Sequence, residues 1–163
     1  MTNCDDNSDE FKCSVVEMDS SYNRFLSPPP LEAGAKLRVN VSMKIHSVDN
    51  FDTIAGSFAS QFTLNLKWYD GRLDFNNLRN KPKTIDPKEF LQIWFPYFKF
   101  DNTRTKEISL VDKKSYFKVL KEGKGELAND KNIENKYIFS GNHNPLSYGR
   151  FYSLDFECDF SLR

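Results

Sequence analysis

No apolar run in this chain approaches the ~20 consecutive residues that a membrane-spanning helix requires. The opening residues are acidic rather than basic and then apolar, so they carry no signal-peptide pattern. If the intact protein sits in a membrane, the expectation is that its leader and its spanning segments lie outside these 163 residues. Excess charge is lacking too. Lys and Arg number 23 and Asp and Glu number 23, which leaves no electrostatic case for nucleic acid or an anionic lipid surface as partner. The run Lys113, Lys114, Lys118 and Lys121 is broken by apolar residues and followed by acids, as on a solvated edge. Histidine is scarce: His46 and His143 are the two in the chain, and neither has a partner at metal-ligand spacing. Gly-x-Ser-x-Gly, phosphate-cradling glycine loops and Cys-x-x-Cys are all missing, so the hydrolase, nucleotide and redox templates fail. No catalytic residue and no cofactor are expected, and the chain reads as a non-enzyme. The surviving enzymatic alternative is a glycosidase-type carboxylate pair assembled in space.

Cysteine is sparse and odd in number, at three. Cys158 is the candidate for a half-cystine whose partner lies elsewhere. A buried free thiol acting as a small hydrophobe is the competing reading.

What is present is alternation. A chain of this length buries roughly 68–70% of its unfolded surface, enough for one main core. Leu37, Val39, Val41, Met43 and Ile45 alternate with polar residues, the two-residue repeat of a strand with one face in the core. After a turn around Val48–Asp52 the pattern returns, with Phe62, Leu64, Leu66 and Trp68 opposed to Gln61, Thr63, Asn65 and Lys67. A third alternation runs through Tyr152, Leu154, Phe156, Cys158, Phe160 and Leu162. Weaker strands are expected at Ile93–Phe100, Ile108–Val111, Tyr116–Leu120 and Tyr137–Ser140, and a loop at Glu122–Asn135.

Helical signals are brief. Ser14 with Glu17 forms a capping-box pattern, and Val15, Met18, Tyr22 and Phe25 recur at helical spacing, which predicts a helix over Ser14–Phe25 stopped by three prolines. Asp86-Pro87-Lys88-Glu89 predicts a single helical turn. Many short strands with little helix give an all-β class, an antiparallel sandwich or barrel with a short N-terminal helix. The sequon Asn40-Val41-Ser42 places Asn40 on a polar strand face, where a glycan is tolerated.

Two segments carry a family resemblance. Gln61-Phe62-Thr63-Leu64-Asn65-Leu66-Lys67-Trp68-Tyr69-Asp70-Gly71-Arg72-Leu73-Asp74-Phe75 and Ile93-Trp94-Phe95-Pro96, followed by Asn102, resemble the Trp-x-Asp-x-Arg-Leu and Trp-x-Pro elements of the Cys-loop receptor ligand-binding domain. Those receptors are pentameric, neurotransmitter-gated ion channels. The ending Arg150–Leu162 is similar to the strand that delivers the first cysteine of the family's signature loop, here Cys158. The resemblance covers Tyr22 to Arg163 and implies an immunoglobulin-like β-sandwich, truncated before the second signature cysteine and the later loops. It implies packing roles for Trp68, Trp94, Pro96, Asp70 and Arg72. It also implies that the strand Tyr152–Leu162 lacks some of its expected neighbours and exposes an edge prone to association.

A shorter match precedes it. Cys4-Asp5-Asp6-Asn7-Ser8-Asp9-Glu10-Phe11-Lys12-Cys13 resembles the end of a low-density-lipoprotein-receptor class A repeat, with Asp9 and Glu10 on calcium-ligand positions. Asn7 and Asn3 depart from that pattern and the repeat's first half is absent, so calcium binding is expected only with a complete repeat. The implied domains are residues 1–13, a repeat remnant, and 14–163, the N-terminal part of the ligand-binding domain.

The resemblance carries a function: the extracellular ligand-binding region of a channel subunit at the plasma membrane, gripping a small-molecule agonist between sister subunits of a pentamer. Gln61, Thr63 and Asn65 map to the complementary face, and Phe100, Asp101 and Asn102 to the first principal loop. Asp101 stands where many relatives place an aromatic residue, and Tyr97 departs from the aspartate frequent after Trp-x-Pro, which leaves amino acids, amines, protons or an orphan ligand open as agonist. A turn-capping role for Asp101 is the alternative. A secreted ligand-binding protein and an adhesion or carbohydrate-binding β-sandwich are the rival readings of the whole.

Overall fold

The structure, a computed structural model, describes residues 15–18, 20–25, 37–104, 114–127 and 136–158. Two antiparallel sheets form it. Sheet A runs in the order β1 (Val16–Met18), β4 (Leu73–Asn76), β8 (Tyr137–Ser140), β7 (Glu126–Leu127). Sheet B runs β2 (Asn40–Asp52), β3 (Ser57–Trp68), β9 (Leu146–Glu157), β6 (Ser115–Val119), β5 (Lys83–Thr84). One turn of helix, α1 (Pro87–Phe90), completes the element list. This is the expected all-β sandwich.

The period-two patterns of β3 and β9 decide the core. Phe62, Leu64, Leu66 and Trp68 face inward from β3, opposite Tyr152, Arg150, Tyr148 and Leu146 of β9, while Thr63, Asn65 and Lys67 look outward. Leu73 and Phe75 of β4, Val16 of β1 and Phe139 of β8 complete the same buried cluster from sheet A. Aromatic rings fill it edge to face: Phe95 lies 5.8 Å from Trp68 and 4.9 Å from Tyr148, and Phe100 lies 5.5 Å from Phe62. Such pairs add packing energy beyond the area they bury.

Several local expectations are corrected. The segment predicted as a helix over Ser14–Phe25 contains a strand at Val16–Met18, paired with Leu73–Phe75, and then turns. Helical periodicity placed Val15 on an apolar stripe, but both Val15 and Val16 are buried and the Val15 carbonyl accepts from the Asn76 amide at 2.9 Å. Pairing with β4 overrides the local cap signal. Ile93–Phe100 is not a strand, because among the described residues no strand pairs with it. Its extended backbone instead delivers Phe95, Phe98 and Phe100 to the core. The turn expected at Val48–Asp52 is strand. Irregular register between Ile45 and Ser47 and between Asp49 and Asp52 carries β2 onward, and the reversal falls at residues 53–56, where Asp52 Oδ1 accepts from the amides of Ile54 (2.9 Å) and Ala55 (2.8 Å). The Glu122–Asn135 loop contains the short β7, and its residues 128–135 lie outside the described part, as does Ile108–Val111. The single turn at Asp86-Pro87 is present, with Asp86 Oδ1 accepting the Lys88 amide at 2.7 Å.

The largest departure concerns β2. Val41, Met43 and Ile45 stand directly opposite Leu66, Leu64 and Phe62, so they share the core-facing side of sheet B. Yet they are 62%, 56% and 60% exposed, against 4%, 5% and 2% for their partners. The alternation expected to put one face of this strand in the core sets its side but does not supply a cover.

Candidate functional site

The two tryptophan segments meet in one polar knot beneath the sandwich. Asp70, its side chain fully buried, accepts from Arg72 Nε at 2.8 Å and from a terminal guanidinium nitrogen at 2.8 Å, and also takes the Arg72 amide at 3.1 Å. The Tyr22 hydroxyl donates to Asp70 Oδ2 at 3.1 Å and itself accepts the Trp94 amide at 2.7 Å. Arg72 lies over the Tyr22 ring, 4.6 Å from its centroid. Burial pushes the Tyr22 phenol up to about 12, although the Trp94 amide pulls the other way. Trp68 is wholly buried, and Trp94 is half-buried against the core. Pro96 is half-buried in the extended stretch that follows. Trp68 and Asp70 are closed to solvent, while Arg72, Trp94 and Pro96 keep partial exposure.

The outward face of sheet B is the candidate site. Gln61, Thr63 and Asn65 of β3 lie side by side with Ser153, Phe151 and Gly149 of β9. The Tyr116 hydroxyl, from β6, reaches over Gly149 and donates to Asn65 Oδ1 at 2.6 Å. On the other flank the His46 ring nitrogen Nε2 is 2.9 Å from Thr63 Oγ1, and its ring sits 5.7 Å from that of Phe151. Lys118 Nζ stands 4.8 Å from the Tyr116 ring centroid, and Lys44 is paired opposite Thr63. The end of the face is closed by Glu122, which accepts from Lys67 Nζ at 2.6 Å and the Tyr69 hydroxyl at 2.8 Å. Those two bonds hold the Glu122 carboxyl below its ordinary range. The result is a shallow tract of hydroxyl, amide, imidazole and aromatic groups bordered by lysines. It can hydrogen-bond a small polar molecule.

Of the sequence-expected contact residues, Gln61, Thr63 and Asn65 are thus brought together on one face. Phe100 is on the opposite side of the sheet, its ring 5.2 Å from Tyr152 and 6.1 Å from Phe156 in the core. Asp101 and Asn102 follow in an exposed turn. Asp101 pairs with Lys99 at 2.7 Å, and Asn102 docks on the end of β9, its carbonyl accepting the Glu157 amide at 2.7 Å. Asn40, the sequon residue, begins β2 and is exposed. Cys158 is half-buried beside the β2–β3 hairpin, with its amide donating to Gly56 O at 2.7 Å, and is a free thiol among the described residues. Cys4, Asp9, Glu10 and Cys13 lie outside the described residues. Among the described residues no cluster of His, Cys, Asp and Glu is arranged to hold a metal, and no helix is long and apolar enough to cross a membrane.

Sequence reading missed His46, Tyr116 and Phe151 as members of this face. Their outward parity was readable, but their adjacency to Thr63 and Asn65 follows from the strand order β2-β3-β9-β6, which no local pattern encodes. Residues 14–131 match the neurotransmitter-gated ion-channel ligand binding domain, well over half of the chain. No curated protein matches the chain.

Proposed function

Because the chain belongs to the neurotransmitter-gated ion-channel ligand binding domain family, we propose that it contributes the outward face of sheet B as one wall of an agonist site, the other wall coming from a sister subunit in a pentamer. A member of this family is an extracellular, ligand-binding part of a ligand-gated channel and not an enzyme. The observation that carries the finer reading is the lateral alignment of Thr63, Asn65, Tyr116, His46 and Phe151 on one solvent-facing tract. Binding at such a wall biases a channel only if the ligand holds one arrangement of the seam more tightly than another.

The charge pattern favours an amino-acid agonist over a quaternary ammonium. An ammonium box needs a vacant aromatic face, and here Lys118 already stands over Tyr116. Lys118 and Lys44 instead suit a ligand carboxylate, with Thr63 and Asn65 as hydrogen-bonding partners. The test is a chimera in which this chain replaces the matching part of the extracellular domain of a family channel, recorded electrically. Currents evoked by glycine or γ-aminobutyrate, with Thr63→Ala and Lys118→Gln each raising the half-maximal concentration by about tenfold, are expected. Acetylcholine-evoked currents, or amino-acid responses indifferent to both substitutions, would overturn the assignment.

A further inference from the structure

Away from sheet B's outward face, a recess of about 530 Å³ opens between the segment after β4 and the segment joining β6 to β7, over the start of β8. Arg79, Lys121 and Lys124 line it together with Tyr137 and Phe139, and no carboxylate does so among the described residues. In a chain whose formal charges cancel, that is a local concentration of one sign. The acid between the two lysines is engaged elsewhere: Glu122 is held by Lys67 and Tyr69 on the other side of its loop. Among the described residues, no ion pair links Arg79, Lys121 or Lys124 to an acid. Lys121 Nζ is held 5.2 Å from the Phe139 ring centroid. Burial foremost, and after it the charge of Arg79, lowers the Lys83 ammonium from its ordinary value, with Glu89 pulling the other way.

The walls are built rather than accidental. Asn77 adopts φ 49°, a left-handed conformation that asparagine tolerates, and this lets it trade two bonds with Tyr137: its amide to the Tyr137 carbonyl at 2.9 Å, and its Oδ1 from the Tyr137 amide at 2.8 Å. On the facing wall the buried Asn144 accepts the amides of Glu122 and Gly123, each at 3.0 Å, and donates to the Ser140 carbonyl at 2.8 Å. Gly125 crosses the face of Phe139 so closely that a Cβ would fall 2.5 Å from its ring. The backbone of both rims is therefore tied to β8 and the turn after it, and the exposed Arg79, Lys121 and Lys124 extend from those rims.

We propose that this recess binds a small organic phosphate, the oxyanion held by Arg79, Lys121 and Lys124 and the organic part against the exposed Tyr137 ring. Among the described residues three cations and no carboxylate line the recess, a charge that suits a dianion better than a single carboxylate. A guanidinium adds the two-pronged geometry that phosphate oxygens accept, and lysines act as point charges. The volume falls within the range of small-molecule sites, roughly 300–1,000 Å³, and exceeds what a bare phosphate fills.

Calorimetric titration of the full chain at low ionic strength with phenyl phosphate tests it. Saturable binding at about millimolar affinity or tighter is expected, weaker binding of inorganic phosphate, and none of phenol. R79Q and K121Q should each weaken phenyl phosphate about tenfold, the loss of one charge-assisted hydrogen bond, while K88Q on α1 changes nothing. Both substitutions remove charge at exposed positions, so melting temperatures should hold; if either variant unfolds, K124Q carries the same expectation. Absence of saturation, parental affinity in the variants, equal binding of phenol, or inorganic phosphate binding as tightly as phenyl phosphate would each overturn the proposal.

Discussion

The Tyr116 hydroxyl meets Asn65 Oδ1 at 2.6 Å by lying flat across Gly149, the residue that separates the two in the sheet. A Cβ on Gly149 would come within 2.0 Å of the Tyr116 ring, so the absence of a side chain there is what joins β6 to β3 across β9.

Gly149→Ala should therefore evict the Tyr116 ring and cost about 1–3 kcal/mol, the usual penalty for overfilling a close contact. Tyr116→Phe keeps the ring and loses only the hydrogen bond, and should cost about 1 kcal/mol or less. Chemical denaturation of the two variants checks the order. A Gly149→Ala protein as stable as the parent would show that Tyr116 does not cross this position.

Glu17 and Asp74 are directly opposed between β1 and β4, a like-charge pair. Bonding to Lys136 foremost, and to Asn76, pulls the Glu17 carboxyl below its ordinary 4.5, whereas burial, with Glu17 beside it, pushes Asp74 above its ordinary 3.8. The signs are opposite. Glu17 stabilises above pH 4.5 and loses that contribution as pH falls through its lowered value. Asp74 favours the fold at low pH, an advantage that is lost as pH rises through its raised value. At neutral pH Asp74→Asn should stabilise the protein by a few tenths of a kcal/mol, and Glu17→Gln should destabilise it by roughly 0.2–1 kcal/mol, both modest because solvent screens this edge. Melting curves from pH 3 to pH 7 should show both differences shrinking toward the acid end.

Among the described residues, Arg72→Ala leaves the buried Asp70 carboxylate with the Tyr22 hydroxyl and one backbone amide. A loss of roughly 3 kcal/mol is expected, the lower end for breaking a buried pair, since some partners remain. Arg72→Lys should recover only part of it, because an ammonium cannot reproduce the two-pronged contact. Urea midpoints for the three proteins measure this directly, and an Arg72→Ala midpoint at the parental value would remove the knot as a structural element.

The same-face partners Phe62 and Ile45, and Leu64 and Met43, predict unequal costs for like changes. Leu64→Ala should cost about 2–5 kcal/mol as a buried truncation. Met43→Thr and Ile45→Thr should each stay near 0.5 kcal/mol, the range of exposed positions. Comparable losses on both strands would mean that β2's apolar side is covered in solution.

Parity was legible without coordinates. The alternations through Phe62–Trp68 and Tyr152–Phe156 told which side chains enter the core, because a strand's geometry allows no other period, and the cap at Asp86-Pro87 is a local matter of one carboxylate and one amide. The tryptophan segments carried the family because their residues are consecutive in the chain. Tertiary structure decided what lies beside what. Val16–Met18 became a strand because β4 offered an edge, Phe95 and Phe98 became core because rings opposite them left room, and Val41, Met43 and Ile45 stayed in water because nothing in the described residues packs over that side. His46, Thr63, Asn65 and Tyr116 form one surface for the same reason: a sheet's lateral order is set by which distant strands pair, a choice made by the whole chain's burial and invisible to any window of neighbouring residues.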